Sequence, residues 1–329
     1  MMFSGVFLQM SRSLASARRI REVLTETPDL ANAAAPVDTI PDGQIDFDHV
    51  SFKYNAKAEK NALSDITLHI PAGATVGIIG GTGAAKTTLV QLIPRLYDAT
   101  EGTVRVGGRD VRGYDVNALR DAVGIVLQKN LLFSGTIRDN LKWGDPDATD
   151  DDLWAACRAA RADEFLSRMP DGLDTDLGQG GCNVSGGQKQ RLCIARTLLK
   201  HPKILIFDDL ERCDVKLETL LGYINYFSEH CKCKVIIIGD ENKISEKEDD
   251  KCKLKFKDFK EKTIGRTFEI KLNIGETLDF FIGEISTNNR NLLSENKELI
   301  IKIFHASKFD NLRVLRQCLN DYHRIAMAL

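Results

Sequence analysis

Proline is absent after Pro202, no two cysteines form a CxxC pair, no apolar run approaches the length of a bilayer span, and neither sign of charge predominates. Each absence removes a class of protein. Without paired spacing or a secretory leader, the eight cysteines (Cys157, Cys182, Cys193, Cys213, Cys231, Cys233, Cys252 and Cys318) are expected to be reduced thiols in a cytosolic compartment, not a disulfide framework. Cys231-x-Cys233 by itself is a slender basis for a zinc site. The 45 basic residues against 47 acidic leave a formal charge of -2, which provides no broad basic field for nucleic acid or acidic lipid; no nucleic-acid partner is expected. The apolar start MMFSGVFLQM gives way at once to Ser11, Arg12, Arg18 and Arg19, far short of the roughly 20 residues a membrane helix needs. What remains, 43% hydrophobic and 28% charged over 329 residues, is ordinary globular composition, neither collagen-like nor disordered.

The missing prolines are part of a wider change near residue 203. Of 26 alanines, 23 precede that point, and Lys to Arg runs 9 to 15 before it and 15 to 6 after. An Ala/Gly/Arg-rich front is followed by a Lys/Glu/Ile/Asn-rich tail, as though the halves had different histories. Apolar positions at helical spacing (Met10, Leu14, Ala17, Ile20, Val23, Leu24) predict an entry helix, either an amphipathic surface helix or the cytosolic end of a longer one, and Thr25 to Pro41 reads as a linker. Alternation over Ile45 to Tyr54 and Leu63 to Ile70 predicts half-buried strands. The apolar runs Thr75 to Ile79, Val123 to Leu127, Ile204 to Phe207 and Val235 to Ile238 predict buried parallel strands. Helices are expected over Leu89 to Leu96, Thr149 to Ala162, Gly187 to Leu199, Lys216 to Phe227, Leu278 to Ser286, Lys297 to Phe304 and Asn311 to Tyr322. The charged stretch Ser245 to Lys262 reads as a solvated face.

Chemistry concentrates where Thr75 to Ile79 ends. Gly80-Gly81-Thr82-Gly83-Ala84-Ala85-Lys86-Thr87-Thr88 has the glycines whose backbone N–H groups curl round phosphates, a lysine to reach them and a hydroxyl for Mg²⁺ at a helix start. The pattern departs at Ala85, where glycine is usual, so a Cβ must fit beside the phosphate or the loop must shift. A plain glycine turn is the ordinary alternative. Ile204 to Phe207 runs into Asp208-Asp209; downstream of a phosphate loop, Asp208 suits the metal, and Asp209, one methylene shorter than glutamate, suits the polarising of an attacking water.

Val184-Ser185-Gly186-Gly187-Gln188-Lys189-Gln190-Arg191, about twenty residues earlier, resembles the signature motif of ATP-binding cassette (ABC) proteins, with valine where leucine is usual. The resemblance runs from about Met1 to Asp209 and is similar in detail to the nucleotide-binding domains of multidrug and lipid exporters, as in IVLQKNLLFSGTIRDNL and DGLDTDLGQGG. It implies ATP and Mg²⁺ as cofactors, with Tyr54 stacking on adenine, Gly81, Thr82, Gly83, Ala84, Ala85, Lys86, Thr87 and Thr88 around the phosphates, and Thr87, Gln128 and Asp208 toward the metal. Lys86, Gln128 and Asp209 take the catalytic roles. Ser185, Gly186, Gly187 and Gln188 sit at a helix start, which favours an anion; the resemblance has them meet ATP held by a second copy in a head-to-tail dimer. It also implies a transporter membrane domain, supplied by another chain or lost, and a place in the cytoplasm at the inner face of a bacterial plasma membrane.

After Asp209 that likeness stops. The expected D-loop and switch histidine are replaced by Leu210-Glu211-Arg212-Cys213-Asp214 and later Gly239-Asp240-Glu241-Asn242, and His201 and His230 are wrongly placed to substitute. Ile204 to Tyr322 resembles instead the carboxyl half of KAP-type P-loop ATPases, with DDLERC at the metal-binding strand end, VIIIGDENKI as a sensor strand and FDNLRVLRQCL in a helical lid. This implies that Asp240 or Asn242 orients water and that Arg313 or Arg316 reaches the γ phosphate. The two likenesses meet at Ile204 to Asp209, so the chain reads as a hybrid.

The expected fold is an α/β P-loop NTPase: a mostly parallel sheet flanked by helices, an N-terminal antiparallel β subdomain, a helical signature subdomain and a C-terminal helical lid. Its expected parts are an entry helix and linker (1–41), an ABC-type core (42–209) and a KAP-like completion (210–329). The function expected is an ABC-type P-loop ATPase, impaired by Ala85 and by the missing D-loop and histidine. Two alternatives stand beside it: a non-catalytic ATP-binding module, and a KAP-like ATPase that transports nothing.

Overall fold

The computed structural model describes residues 2–55, 61–81, 83–127, 130–212, 217–229, 233–241, 243, 260–270, 274–283, 285, 287–307 and 312–328. Most of the charged stretch Ser245 to Lys262 lies outside the described residues, as do His230 and Cys231. Helix α1 (Met2–Thr25) leads in with Met10, Leu14, Ile20, Val23 and Leu24 exposed. Among the described residues no helix is long and apolar enough to cross a membrane.

Strands β1 (Ile45–Phe52) and β2 (Leu63–Ile70) pair antiparallel. Strand β3 (Thr75–Ile79) and helix α2 (Lys86–Gln91) follow, then β4 (Glu101–Val106) and β5 (Arg109–Asp110). The small sheet runs β2-β1-β4-β5. Alternation along β1 is interrupted beside His49, whose φ of 50° marks a bulge and brings Val50 inward with Ile45, Phe47 and Phe52. Helix α2 was expected to reach Leu96 but ends at Gln91. Pro94 has no N–H to donate and crowds the turn before it, so the chain continues in tighter turns, Leu92 N–H to Leu89 O and Ile93 N–H to Val90 O.

After α3 (Val116–Ala122), β6 (Val123–Val126) opens the main sheet. Helices α4 (Ile137–Lys142), α5 (Asp150–Ala159), α6 (Asp163–Leu166) and α7 (Gly186–Leu198) form the signature subdomain. Capping boxes at Thr136/Asp139, Thr149/Asp152 and Ser185/Gln188 start three of them. Next come β7 (Ile204–Phe207), α8 (Leu217–Glu229), β8 (Lys234–Gly239) and β9 (Arg266–Glu269). A helical bundle closes the chain: α9 (Ile274–Gly283), α10 (Thr287–Glu295), α11 (Lys297–Ala306) and α12 (Leu312–Ala328). Leu278, Ile282, Phe304, Leu315 and Leu319 make its core.

The main sheet is parallel, in the order β6-β7-β8-β3-β9. Both neighbours of β3 therefore come from the tail: Val76 faces Ile236 on one edge and Arg266 on the other. The front strands β6 and β7 reach β3 only through β8. The cores cross the compositional boundary as well. Tyr223 and Phe227 of α8 pack with Leu192 and Phe207, and Ile236 and Ile238 of β8 pack with Ile78 and Leu89.

Lys234 begins β8 fully buried, and its ammonium donates to the carbonyls of Ile70 (2.9 Å) and Pro71. It ties the tail's central strand to the end of β2. Burial lowers its pKa to about 8, against the weaker pull of Asp42 and Asp46.

Two predictions follow from this sheet. A chain cut after Asp209 loses both partners of β3 and part of each large core, and is expected to show no cooperative urea transition, whereas a chain cut after Ile270 keeps all five strands and does. A sharp transition in the shorter chain would refute the shared sheet. For Lys234, the unfolded chain holds its proton to about pH 10.5 and the folded chain only to about pH 8. The buried charge therefore costs stability below pH 8, and that cost, about 3 kcal/mol at most, is relieved as pH rises to 10.5. Urea unfolding of wild type against Lys234→Met should show wild type gaining on the variant across that window; parallel profiles would contradict the burial.

Candidate functional site

The phosphate loop leaves the C-terminal end of β3, the end at which open parallel sheets place ligands. Gly83 (φ 93°) and Ala85 (φ 56°, ψ 22°) carry the backbone into α2. The usual glycine at position 85 thus has a conformational reason, since the left-handed region costs an L residue about 1–2 kcal/mol. This chain keeps the turn and accepts the strain, with Ala85 packed against the core around Leu89 and Ile93.

Lys86 opens α2 and is 6% exposed. Its ammonium donates to the carbonyls of Gly80 (2.7 Å) and Gly81 (3.0 Å). Burial lowers its pKa, opposed by the carboxylates of Glu211, Asp240, Asp209 and Asp208. Thr87 donates toward both carboxylate oxygens of Asp208, at 3.1 Å each. Asp208, at the end of β7, is also 6% exposed, and burial and the charge of Asp209 raise its pKa against the Thr87 hydrogen bond. A half-buried hydroxyl facing a buried carboxylate is an all-oxygen donor set of the kind that suits Mg²⁺, so these residues fit the cofactor that the motif implies. Asp209 turns away from the strand with φ 52°, a conformation aspartate tolerates.

Tyr54 lies beside the same helix. Its hydroxyl is 2.8 Å from Thr88 Oγ1, and its ring meets Phe52 and Tyr97 edge-on at 4.9 and 5.3 Å, while 58% of the residue stays exposed. Thr82, Gln128 and Asn242, and the side chain of Arg313, lie outside the described residues. Arg316 stacks over Phe281 at 5.8 Å, on its own bundle.

The signature begins α7. Ser185 Oγ accepts from Gln188 N–H (3.3 Å) and Gln188 Oε1 accepts from Ser185 N–H (2.8 Å). Val184 is buried in the subdomain core, which is why an apolar residue is required there. Lys189 donates to Gly180 O at 2.9 Å, fastening the glycine-rich stretch Gly178 to Gly181 to α7. Gly186 and Gly187 form the first turn. The hydrogen bonds of Ser185 and Gln188 are thus made within the subdomain, apart from the phosphate loop.

Sequence reasoning passed over Glu211. It is 8% exposed and accepts from Asp240 N–H at 3.1 Å, joining the turn after β7 to the end of β8. Its signal was present in DDLER, but an acid two places past a paired aspartate has no period that marks it as buried.

Two families match this chain. The ABC transporter model matches residues 63–211, and the KAP family P-loop domain matches residues 188–329. The chain joins an ABC-type front to a KAP-type back. The matches overlap from within α7 to Glu211, further back than the strand Ile204 to Asp209 alone. A putative multidrug export ATP-binding/permease protein of Staphylococcus aureus is 41% identical over 203 residues, 61% of this chain and 35% of the relative. A multidrug efflux ATP-binding/permease protein of Mycobacterium bovis is 40% identical over 206 residues, 63% of this chain and 17% of the relative. The chain thus spans about a third or less of these relatives. The structure of a bacterial Atm1-family ABC exporter with ATP bound superimposes with a TM-score of 0.63 at 32% identity, covering 71% of this chain and 41% of that one. The fold is that of a P-loop NTPase, with the ABC-type front completed by the KAP-type strands.

The left-handed turn at Ala85 generates a test. Ala85→Gly is expected to raise the unfolding free energy by about 1 kcal/mol, the relieved strain exceeding the added chain entropy. Urea titration reads it, and unchanged or lower stability would mean that the turn carries no strain.

Proposed function

We propose that this chain binds Mg-ATP at Gly80 to Thr88 and hydrolyses it slowly, as the nucleotide-binding part of an ABC-type exporter whose membrane domain lies elsewhere. The observation that carries the reading is the Thr87 hydroxyl set against buried Asp208 beside buried Lys86. Lys86 would exchange two loop carbonyls for phosphate oxygens and gain a charge-assisted bond. Thr87 and Asp208, with Gln128, would hold Mg²⁺, which neutralises charge developing on the phosphates. Asp209 would orient water, and Tyr54 would offer its open ring to adenine. The front and back divide at 209, after an entry segment of 1–41.

Two copies arranged head to tail would bring Ser185, Gly186, Gly187 and Gln188 of one to the nucleotide of the other, at the inner face of the membrane. Hydrolysis is expected to be weak, because Ala85, the missing switch histidine and the missing D-loop each remove stabilisation of the transition state. One such donor is worth a factor of about 10² to 10³. A second reading, a KAP-like ATPase complete within one chain, is favoured by the Glu211–Asp240 contact, which places two tail-side carboxylates by Lys86.

Phosphate release and ATP titration decide among these. Lys86→Ala should weaken ATP binding at least about tenfold and abolish Mg²⁺-dependent turnover; turnover that survives it would rule out this site. If the copies pair head to tail, ATP-dependent association should vanish in Ser185→Arg, whereas the one-chain reading predicts turnover indifferent to that change.

A further inference from the structure

Beyond the end of β8 the chain needs a hydrogen-bond partner that the sheet does not supply. Strand β7 stops at Phe207, opposite Ile237, and β3 stops at Ile79, opposite Gly239. The N–H of Asp240 lies past the last ladder pair, yet the residue is buried, where an unpartnered backbone N–H is costly. Glu211 provides the partner. The short turn Leu210–Arg212 returns its side chain to the end of the sheet, and Oε2 accepts the Asp240 N–H at 3.1 Å. Leu210, buried in the same core as Phe207 and Leu192, fixes where that turn sits.

What this bond holds is the part of the tail that borders the phosphate loop. Gly239 faces Ile79 in register, so Asp240 and Gly80 leave adjacent strands side by side. Gly80 O accepts from the Lys86 ammonium, and the Asp240 carboxylate is among the charges that oppose loss of its proton. The Lys243 ammonium, 3.6 Å from Asp240 Oδ2, is too distant to hold that carboxylate by a hydrogen bond. Its place depends on the backbone that carries it, and Glu211 fixes that backbone.

We propose that Glu211 is a positioning residue for phosphoryl transfer: by accepting the Asp240 N–H it keeps the Asp240 carboxylate beside the phosphate loop, where it acts with Asp209 on the attacking water. The inference rests on the reading of Gly80 to Thr88 as the nucleotide site. In the step itself the water oxygen bonds to the γ phosphorus and the bond to the β–γ bridging oxygen breaks, its electron pair leaving on ADP, while the water proton passes to a carboxylate and on to the released phosphate. The proposal gives the reaction a tail-side group on the strand next to β3, where the expected switch histidine is missing.

Two uncharged replacements of similar bulk, made in the full chain, separate positioning from a charge effect. Glu211→Gln keeps an oxygen acceptor for the Asp240 N–H, whereas Glu211→Met fills the space with only a weak one. Both remove the negative charge near Lys86, so ATP affinity should shift alike in the two. Turnover at saturating ATP should be at least about tenfold lower in Glu211→Met than in Glu211→Gln, and hydrogen exchange at the Asp240 amide at least about threefold faster. Equal turnover in the two overturns the role; if both are equally inactive, the charge of Glu211 is what works. Asp240→Asn is the second check, and it still decides if Glu211→Met does not fold. It leaves the backbone bond in place, so exchange at residue 240 should stay at the wild-type level while turnover falls at least about tenfold; undiminished turnover would leave Glu211 nothing to position. A wild-type chain that releases no phosphate would sink the hydrolytic reading and this role with it. Turnover that needs Lys86 but is indifferent to Glu211→Met and Asp240→Asn would sink the positioning alone.

Discussion

A β-strand in the middle of a sheet has two edges, and every N–H and C=O along them needs a partner once water is gone. For β3 those partners are β8 and β9, from Thr75 opposite Val235 to Ile79 opposite Gly239 on one side and opposite Glu269 on the other. The phosphate loop has its position because β3 does. It follows that the tail holds the front's site in place, although the motifs that mark the site all lie in the front. It also follows why so abrupt a change of composition is compatible with one sheet. Backbone pairing asks of β8 only that it be extended and apolar on both faces, and Val235, Ile236, Ile237 and Ile238 satisfy that as well as any exporter strand would.

The charges show the same interdependence. Lys86 sits near four carboxylates, two from the end of β7 (Asp208 and Asp209), one from the turn beyond it (Glu211) and one from the end of β8 (Asp240). Burial disfavours the charged lysine and the charged Asp208 alike; the four carboxylates offset part of that cost for Lys86, while for Asp208 the Thr87 hydrogen bond and Lys86 offset it and the charge of Asp209 adds to it. Whatever follows the paired aspartates must therefore supply both a strand and a tolerable field. Glu211 does the second by accepting from the Asp240 backbone, which binds the junction to the tail at the point where the families change over. The overlap of the two family matches over 188–211 covers this junction.

The strands and motifs were legible because they depend on short-range rules. Four buried parallel strands announced themselves as apolar runs, and the phosphate loop and signature as spaced glycines followed by helix starts. β4 and β5 were not seen, because a half-exposed strand such as EGTVRV and a two-residue strand carry little period. Helix α2 was placed too far along because its periodicity continued past Pro94 while its hydrogen bonds did not. The order β6-β7-β8-β3-β9 was beyond any such reading, since nothing local in VIIIG says that it will lie between two strands of the front. Of the candidate site residues, Lys86, Thr87 and Asp208 lie together in the structure. The strain at Ala85 was framed as a question of space for a Cβ, whereas the backbone shows that it is a question of handedness.

Ser185 uses an oxygen lone pair to cap α7, yet its own O–H remains a donor, and the first turn of α7 still presents N–H groups at the surface. The start of the signature helix is therefore formed and outward-facing, with Ser185 exposed, whereas Lys86 and Asp208 at the phosphate loop lie buried where the front strands meet the tail strand β8.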